Sequence, residues 1–482
     1  MLFGIPAEVK SLFRPILADA SKPIRQAVAS MVLAFLLAPH YRRLKTISGM
    51  VLGHRVHVAT ISRRLNNKLW VTREWYVRLV DRVLVDLNHY ECAHVKEKKR
   101  RFTIIIDGTQ HASVGEKMEN LVQMSTRKDK RRRSTSHHLF VMGIMITESG
   151  MRIPLRRRSY YTKEYCKAHG KKYLTQTQLA RWIIHEAPVP SDANVTVLYD
   201  SAFDADIIHR ECRNRGFREI FPIDPNRNLA TKDSPNAPAQ VGAPVVASTL
   251  DWSEDEFETL ELEVGNEKLD LFRRRHVDNL RVKKTFRRYV VAARPANVSK
   301  LGSCLIVASY KENLKIELLD GESGDWSDCR QTLAARRKKD KKQPSRWHGK
   351  VLACTDPTLT AREVVEWYEI RWQVELFFRE LKSRLQMRCY VLLSFEAVER
   401  YIDLLLMGFL LLEKRRLDEL ISEDKWPVKG DAKSHWRTTD RLRNMESFMH
   451  SFNIEYIRQR LKSKRGQAEL LRKLADAPCR VA

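Results

Sequence analysis

Apolar positions recur at two different periods along this chain, and the switches between them divide it. Through residue 95 the spacing is helical. Ala27 to Leu37 is an apolar run that Pro39 ends. Tyr41 to Gly53 follows, breaks at Gly53-His54-Arg55 and leads into Val58 to Leu65. Two short helices around a Gly-containing turn, the second carrying Thr, Ser and Arg, are compatible with a helix-turn-helix. Arg63 and Arg64 are its candidate DNA contacts. An amphipathic third helix, Val71 to Leu87, would close the bundle.

The charged boundary Lys96 to Arg101 ends the helical spacing. Phe102 to Thr109 is a β-branched run that predicts a strand stopping at Asp107. A basic loop spans Asn120 to Ser136. His138 to Thr147 predicts a strand, Glu148 to Gly150 a turn and Arg152 to Arg158 the returning strand. Thr175 to Glu186 reads as a helix. Asn194 to Asp200 is another strand that stops at an Asp, Phe203 to Arg215 a helix and Arg218 to Ile223 a short strand. Taken singly, Asp107 would merely begin a turn.

Asp224 to about Gly349 is expected to be a mostly β insertion, with strand-like pieces at Glu258–Val264, Leu269–Arg275, Thr285–Ala293, Cys304–Ser309 and Lys315–Leu319. The loop Arg336 to Lys342 suits phosphates or solvent. Val351 to Thr355 returns the chain to the core. Trp367 to Lys382 contains no Gly or Pro and predicts a helix. At about 100° per residue, Trp367, Ile370, Val374, Phe377, Phe378, Leu381 and Leu385 form one apolar stripe. Tyr368, Arg371, Glu375 and Lys382 line its border, while Glu369, Arg379, Glu380 and Arg384 point away. An acid at such a border can hold a metal, and bases beside it can hold phosphates. Val398 to Leu412 is an apolar helix, and the residues from about 415 suggest a helical tail. The expected domains are 1–95 helical and DNA-binding, 96–225 and 351–415 the two parts of a core, 226–350 the β insertion, and 416–482 the tail.

Composition narrows the partner. The net charge of +28 favours a polyanion. A phosphate backbone fits best, because neutralising it releases counterions; a membrane surface is the competitor. The longest apolar run, Leu404 to Leu412, is far short of the roughly 20 residues that span a bilayer. The start, Met1 to Pro6, lacks the pattern of a signal peptide. The eight cysteines form no Cys-x-x-Cys pair, which argues against zinc and gives disulfides no support. A cytoplasmic, nucleoid-associated protein is expected.

The spacing Tyr368-x2-Arg371-x3-Glu375-x6-Lys382 resembles the Y-R-E-K signature of DDE transposases of the insertion sequence four family. The resemblance implies an α/β fold with a ribonuclease H-like core, in which the strands ending at Asp107 and Asp200 are neighbours and the helix brings Glu375 to them. It implies that Asp107, Asp200 and Glu375 ligate two Mg²⁺ or Mn²⁺ ions, that Arg371, Lys382 and Tyr368 contact phosphates, and that a Trp stacks a flipped base. Trp347 is the candidate for that Trp, ahead of Trp252 and Trp326; Asp204 and Asp206 compete with Asp200 for the second acid. The implied activity is cut-and-paste transposition on double-stranded DNA, with hairpin formation and strand transfer at element ends, by a homodimer. The alternatives are a non-catalytic DNA-binding derivative and a structure-selective nuclease on the same fold.

Overall fold

The strand at Asp107 is the hub of the molecule. The structure is a computed structural model; it describes residues 7–37, 58–95, 99–112, 117–123, 136–223, 227–231, 245–246, 256–270, 280–319 and 350–422 apart from 386, 388, 389 and 391, with a few single positions beyond. Helices α1 (Ala7–Ile16), α2 (Lys22–Leu37), α3 (Val58–Leu65) and α4 (Thr72–His94) come first. Strands β1 (Arg101–Ala112), β2 (Val122–Gln123), β3 (Ser136–Ile146), β4 (Arg152–Pro154) and β5 (Arg158–Ser159) follow. Next come α5 (Lys163–His169), α6 (Gln176–His185), β6 (Asn194–Leu198), α7 (Asp206–Asn214) and β7 (Arg218–Pro222). Strands β8 (Asn228–Thr231), β9 (Val245–Val246), β10 (Glu258–Asp270), β11 (Leu280–Val298), β12 (Gly302–Leu319) and β13 (Lys350–Cys354) precede α8 (Ala361–Ile370), α9 (Trp372–Arg379) and α10 (Phe395–Ser422).

All the described strands join one mixed sheet, along the path β2-β3-β1-β6-β7-β13-β12-β11-β8-β9. β1 runs antiparallel to β3 and parallel to β6, and β6 runs parallel to β7. This is the ribonuclease H-like order, and the α/β class is as expected. The strands described between 226 and 350 extend the same sheet through β12 and β13.

Sequence and structure differ at several points. β1 runs through Asp107 to Ala112 instead of stopping at the acid, because its ladder with β3 continues to Ala112↔His137. The predicted pair Glu258–Val264 and Leu269–Arg275 is one strand as far as Asp270, with a bulge near Gly265. Cys304–Ser309 and Lys315–Leu319 are likewise one strand. Arg152–Arg158 is broken into two short pieces. Helix α5 has no counterpart among the predicted elements. It is short and polar, yet Thr162 caps its start and Gly170, at φ 60°, ends it.

Two faces of the sheet are covered by different helices. Gly143 in β3 admits α6: a Cβ there would lie 3.1 Å from Ile183 Cγ2 and from Leu155 Cδ1. Gly143 pairs with Ile106, so those residues point toward α6 and Asp107 points to the other face. On that other face α9 packs across β1. The predicted apolar stripe from Trp367 to Leu385 is buried throughout. Behind it α10 is almost wholly buried, against α2 and α4. Among the described residues no helix is long and apolar enough to cross a membrane.

Candidate active site

The parallel register of β1 and β6 sets the two Asp residues level. Their last pair is Ile105↔Leu198, and Asp107 and Asp200 each lie two residues further on. The backbone is still extended at Asp200 (φ −90°, ψ 164°). Two steps along a pleated strand return to the same face, and adjacent strands are about 4.8 Å apart. Each acid spends one oxygen on a neighbouring backbone N–H. Gly108 N donates to Asp107 Oδ1 at 2.7 Å, and Ser201 N donates to Asp200 Oδ1 at 2.8 Å.

The helix supplies the third acid. Thr360 and Glu363 form a capping box that starts α8. The helical path then continues past Arg371 (φ −51°, ψ −31°) into α9 and ends in a π turn over Glu380–Arg384. The single predicted helix is therefore two segments and a widened last turn. Arg371 sits at the junction. Its guanidinium donates to Glu375 Oε1 at 3.0 Å and pairs with Asp107 Oδ2 at 3.5 Å. Asp107 and Glu375 remain 24% and 38% exposed, Arg371 only 11%.

Electrostatics tie the group together. Burial pushes the Asp107 carboxyl up from its ordinary value; the Gly108 N–H and Arg371 oppose this, and the charges of Asp200 and Glu375 add to it. For Arg371 burial works against the charge, but Tyr368, Asp200, Asp107 and Glu375 outweigh it and raise its pKa. Tyr368 is buried, and that burial pushes its phenol up. Its ring lies between Lys350 Nζ at 5.1 Å and the Arg371 guanidinium at 5.8 Å, and its hydroxyl accepts from Lys350 at 3.4 Å. Lys350 is a cation the sequence did not single out, since one Lys before a strand carries no signal.

The remaining expectations separate. Lys382 lies in the π turn, 5.5 Å from the Phe378 ring centre. Glu380 does not point away from the core. It pairs with Arg152 of β4 at 3.2 Å, on the side where β4 packs against α10. Asp204 is buried and taken by His209 Nε2 and Arg227 Nη1, both at 2.9 Å, while Asp206 pairs with Arg210 at 3.1 Å. His209 also faces Glu219 at 3.0 Å, so the turn after Asp200 is held by a buried imidazole between two carboxylates. Arg63 and Arg64 lie on α3, which Arg400 ties to α10 through Leu65 O and Trp70 O. Trp347, Trp252 and Trp326 lie outside the described residues, as do the helix predicted over Tyr41–Gly53 and the basic loop Arg336–Lys342.

Three carboxylates are hard oxygen donors of the kind that suits Mg²⁺ or Mn²⁺. Among the described residues, no group of three or more His, Cys, Asp or Glu is gathered tightly enough to hold an ion. The cation between Asp107 and Glu375 is the Arg371 guanidinium. In kind and in charge the donor set still fits a divalent cation, since three acids face one arginine. The chain matches the family described as Transposase DDE domain over residues 98–411, more than half its length. That span contains Asp107, Asp200 and Glu375. No curated protein matches the chain.

Proposed function

Since the chain belongs to the transposase DDE-domain family, whose members act on DNA in transposition and recombination, we propose that it cuts and pastes an insertion sequence of its own, using Asp107, Asp200 and Glu375 as the catalytic acids. The observation that carries this reading is the level pair Asp107 and Asp200, joined to Glu375 through Arg371. The Y-R-E-K spacing in this sequence supports the insertion sequence four family. In that family the ends are nicked, closed as hairpins, reopened and joined to target DNA by a homodimer on paired ends.

The chemistry is in-line displacement at phosphorus. A bond forms from water or a 3′-hydroxyl to phosphorus as the bond to the leaving oxygen breaks. Divalent ions bound here would supply activation of the attacking oxygen and stabilisation of the leaving one. Asp107, Asp200 and Glu375 would hold them. Arg371 has a planar fork suited to a phosphate and would turn from its carboxylates to the strand as those acids take up their ions. Lys382 would add a point charge. Tyr368, buried beside Arg371, would steady that arginine and reach a phosphate only through its hydroxyl.

The test is cleavage of a duplex that carries the inverted repeats flanking the coding sequence, with Mg²⁺. Cutting at the repeat end, with hairpin product and none on a scrambled end, is expected. Binding without cleavage would instead fit a non-catalytic derivative, and equal cleavage of unrelated branched DNA would fit a structure-selective nuclease.

A further inference from the structure

We propose that the segment from Tyr160 to Tyr173 is a DNA-gripping ledge beside the acids, holding the phosphate backbone of the duplex that flanks the reacting strand. The inference rests on the DNA-cutting reading and adds a surface that the helix of Arg371 and Glu375 does not include.

The ladder places it. β5 pairs with Val141 and Phe140, which on their other side pair with Gly108 and Thr109. The chain therefore leaves β5 level with the residues just past Asp107, two strand spacings or about 10 Å from β1. The rings settle the face. Phe140 pairs with Thr109, two residues past Asp107, and so shares the face of the acids. Phe140 stacks on Phe395 at 5.9 Å. Phe395 meets Tyr161 edge-on at 5.9 Å and Tyr165 at 5.7 Å.

Lysines stand on this aromatic base. Lys171 Nζ lies 4.6 Å from the Tyr161 ring centre and 5.3 Å from that of Tyr165. Lys163 Nζ lies 5.6 Å from the Tyr173 ring centre. The segment carries Lys163, Lys167, Lys171 and Lys172 against the single acid Glu164. Lys163, Lys167 and Lys172 are exposed. Nearby acids have partners of their own: Glu119 accepts from the Phe395 N–H at 2.9 Å, Glu396 faces Arg400, and Glu399 pairs with Arg157 at 3.1 Å, accepts from the Tyr161 hydroxyl at 3.0 Å and also feels the charge of Lys171.

The ledge is pinned to the sheet. Asn120 donates to Tyr160 O at 2.9 Å and accepts from Thr162 N at 2.8 Å. Beyond Tyr173, Thr175 caps α6, and Gln176 lies against Gly108, the residue after Asp107. Lysines ordered on rings lose less freedom when they bind, and ammonium groups hold phosphates without reading sequence. A patch of this kind would also suit an anionic membrane; its place on the rim of the acid face favours DNA.

The test is the combined variant Lys163→Ala, Lys171→Ala and Lys172→Ala, with the full chain on a duplex of its element end. Removing one ammonium from one phosphate should lower the slope of log K against log salt by about 0.9. The slope should therefore fall by about two to three, and by the same amount on an unrelated duplex. The matching Lys→Arg variant should keep the slope, and the melting temperature of the triple Ala variant should fall only slightly, through its lost ring contacts. Arg210→Ala, on α7 across the sheet, is the control and should leave the slope alone. An unchanged slope in the triple Ala variant, with steep wild-type binding, would overturn the ledge and leave the DNA-cutting reading standing. A wild-type chain that does not bind DNA would overturn both. Loss of binding to phosphatidylserine vesicles with no change on DNA would make the ledge a membrane contact and overturn the inference.

Discussion

Two kinds of acid–arginine cluster occur in this fold, and they are built in opposite ways. Beside α10, Arg152 pairs with Glu413 at 2.9 Å and with Glu380 at 3.2 Å, and Arg416 pairs with Glu413 at 3.3 Å. Arg157 pairs with Asp403 at 2.8 Å, and Thr72 donates to the same carboxylate. Charges there balance or are bonded, and the side chains are largely buried. At Asp107, Asp200 and Glu375 three carboxylates face one guanidinium, and the site is half open. Glu375 and Glu380 stand five positions apart on one helical path and fall in different clusters. Balance and exposure, more than residue type, separate scaffold from site: an unbalanced, open group of acids draws cations, and a balanced, closed one only holds elements together.

The sharpest break between the two would come at the acids. Asp107→Ala, Asp200→Ala or Glu375→Ala should each slow cleavage at least about a thousandfold, a barrier increase of about 4 kcal/mol. End binding and melting temperature should persist. A variant that cuts at near wild-type rate would remove its residue from the site. Arg152→Ala should do the reverse. Leaving Glu380 without its buried partner, and Glu413 with Arg416 alone, should cost about 3–5 kcal/mol of stability in urea unfolding, with little change in cleavage per folded molecule. A loss below about 1 kcal/mol would dissolve the distinction.

Arg371 lies between the two cases. Arg371→Ala should lower single-turnover cleavage by about ten- to a hundredfold, equivalent to about 1.5–3 kcal/mol for a charge-assisted contact. Arg371→Lys should also be defective, because an ammonium lacks the fork. Glu369→Ala, which breaks a surface pair with Lys311, should be nearly silent. The smallest effect concerns Asp107 alone. Its folded carboxyl titrates above its unfolded value, so at neutral pH its charge burdens the fold, and the burden lifts as pH falls through the raised value. Asp107→Asn should therefore raise the melting temperature at pH 7. That gain should fade in acid; a gain that grows as pH falls would contradict the sign.

Much of this was legible in the sequence. The apolar stripe from Trp367 to Leu385 announced a buried helix, and β-branched runs located β1 and β6 with their acids. Periodicity could not tell Asp200 from Asp204 or Asp206, since the difference lies in partners such as Arg227 and Arg210 brought together by the fold. Nor could a helical wheel place Glu380, whose partner Arg152 comes from a distant strand. Helix α5 escaped because its signals are caps, and caps say little without an apolar face.

Binding of Mn²⁺ to the full chain on its DNA end, followed by electron paramagnetic resonance, tests the open cluster most directly. The wild type should take up about two ions per chain. The variant carrying Asp107→Asn, Asp200→Asn and Glu375→Gln should lose them while still binding DNA, and Arg152→Ala should keep them in its folded fraction. Equal uptake by the triple variant and the wild type would contradict the account.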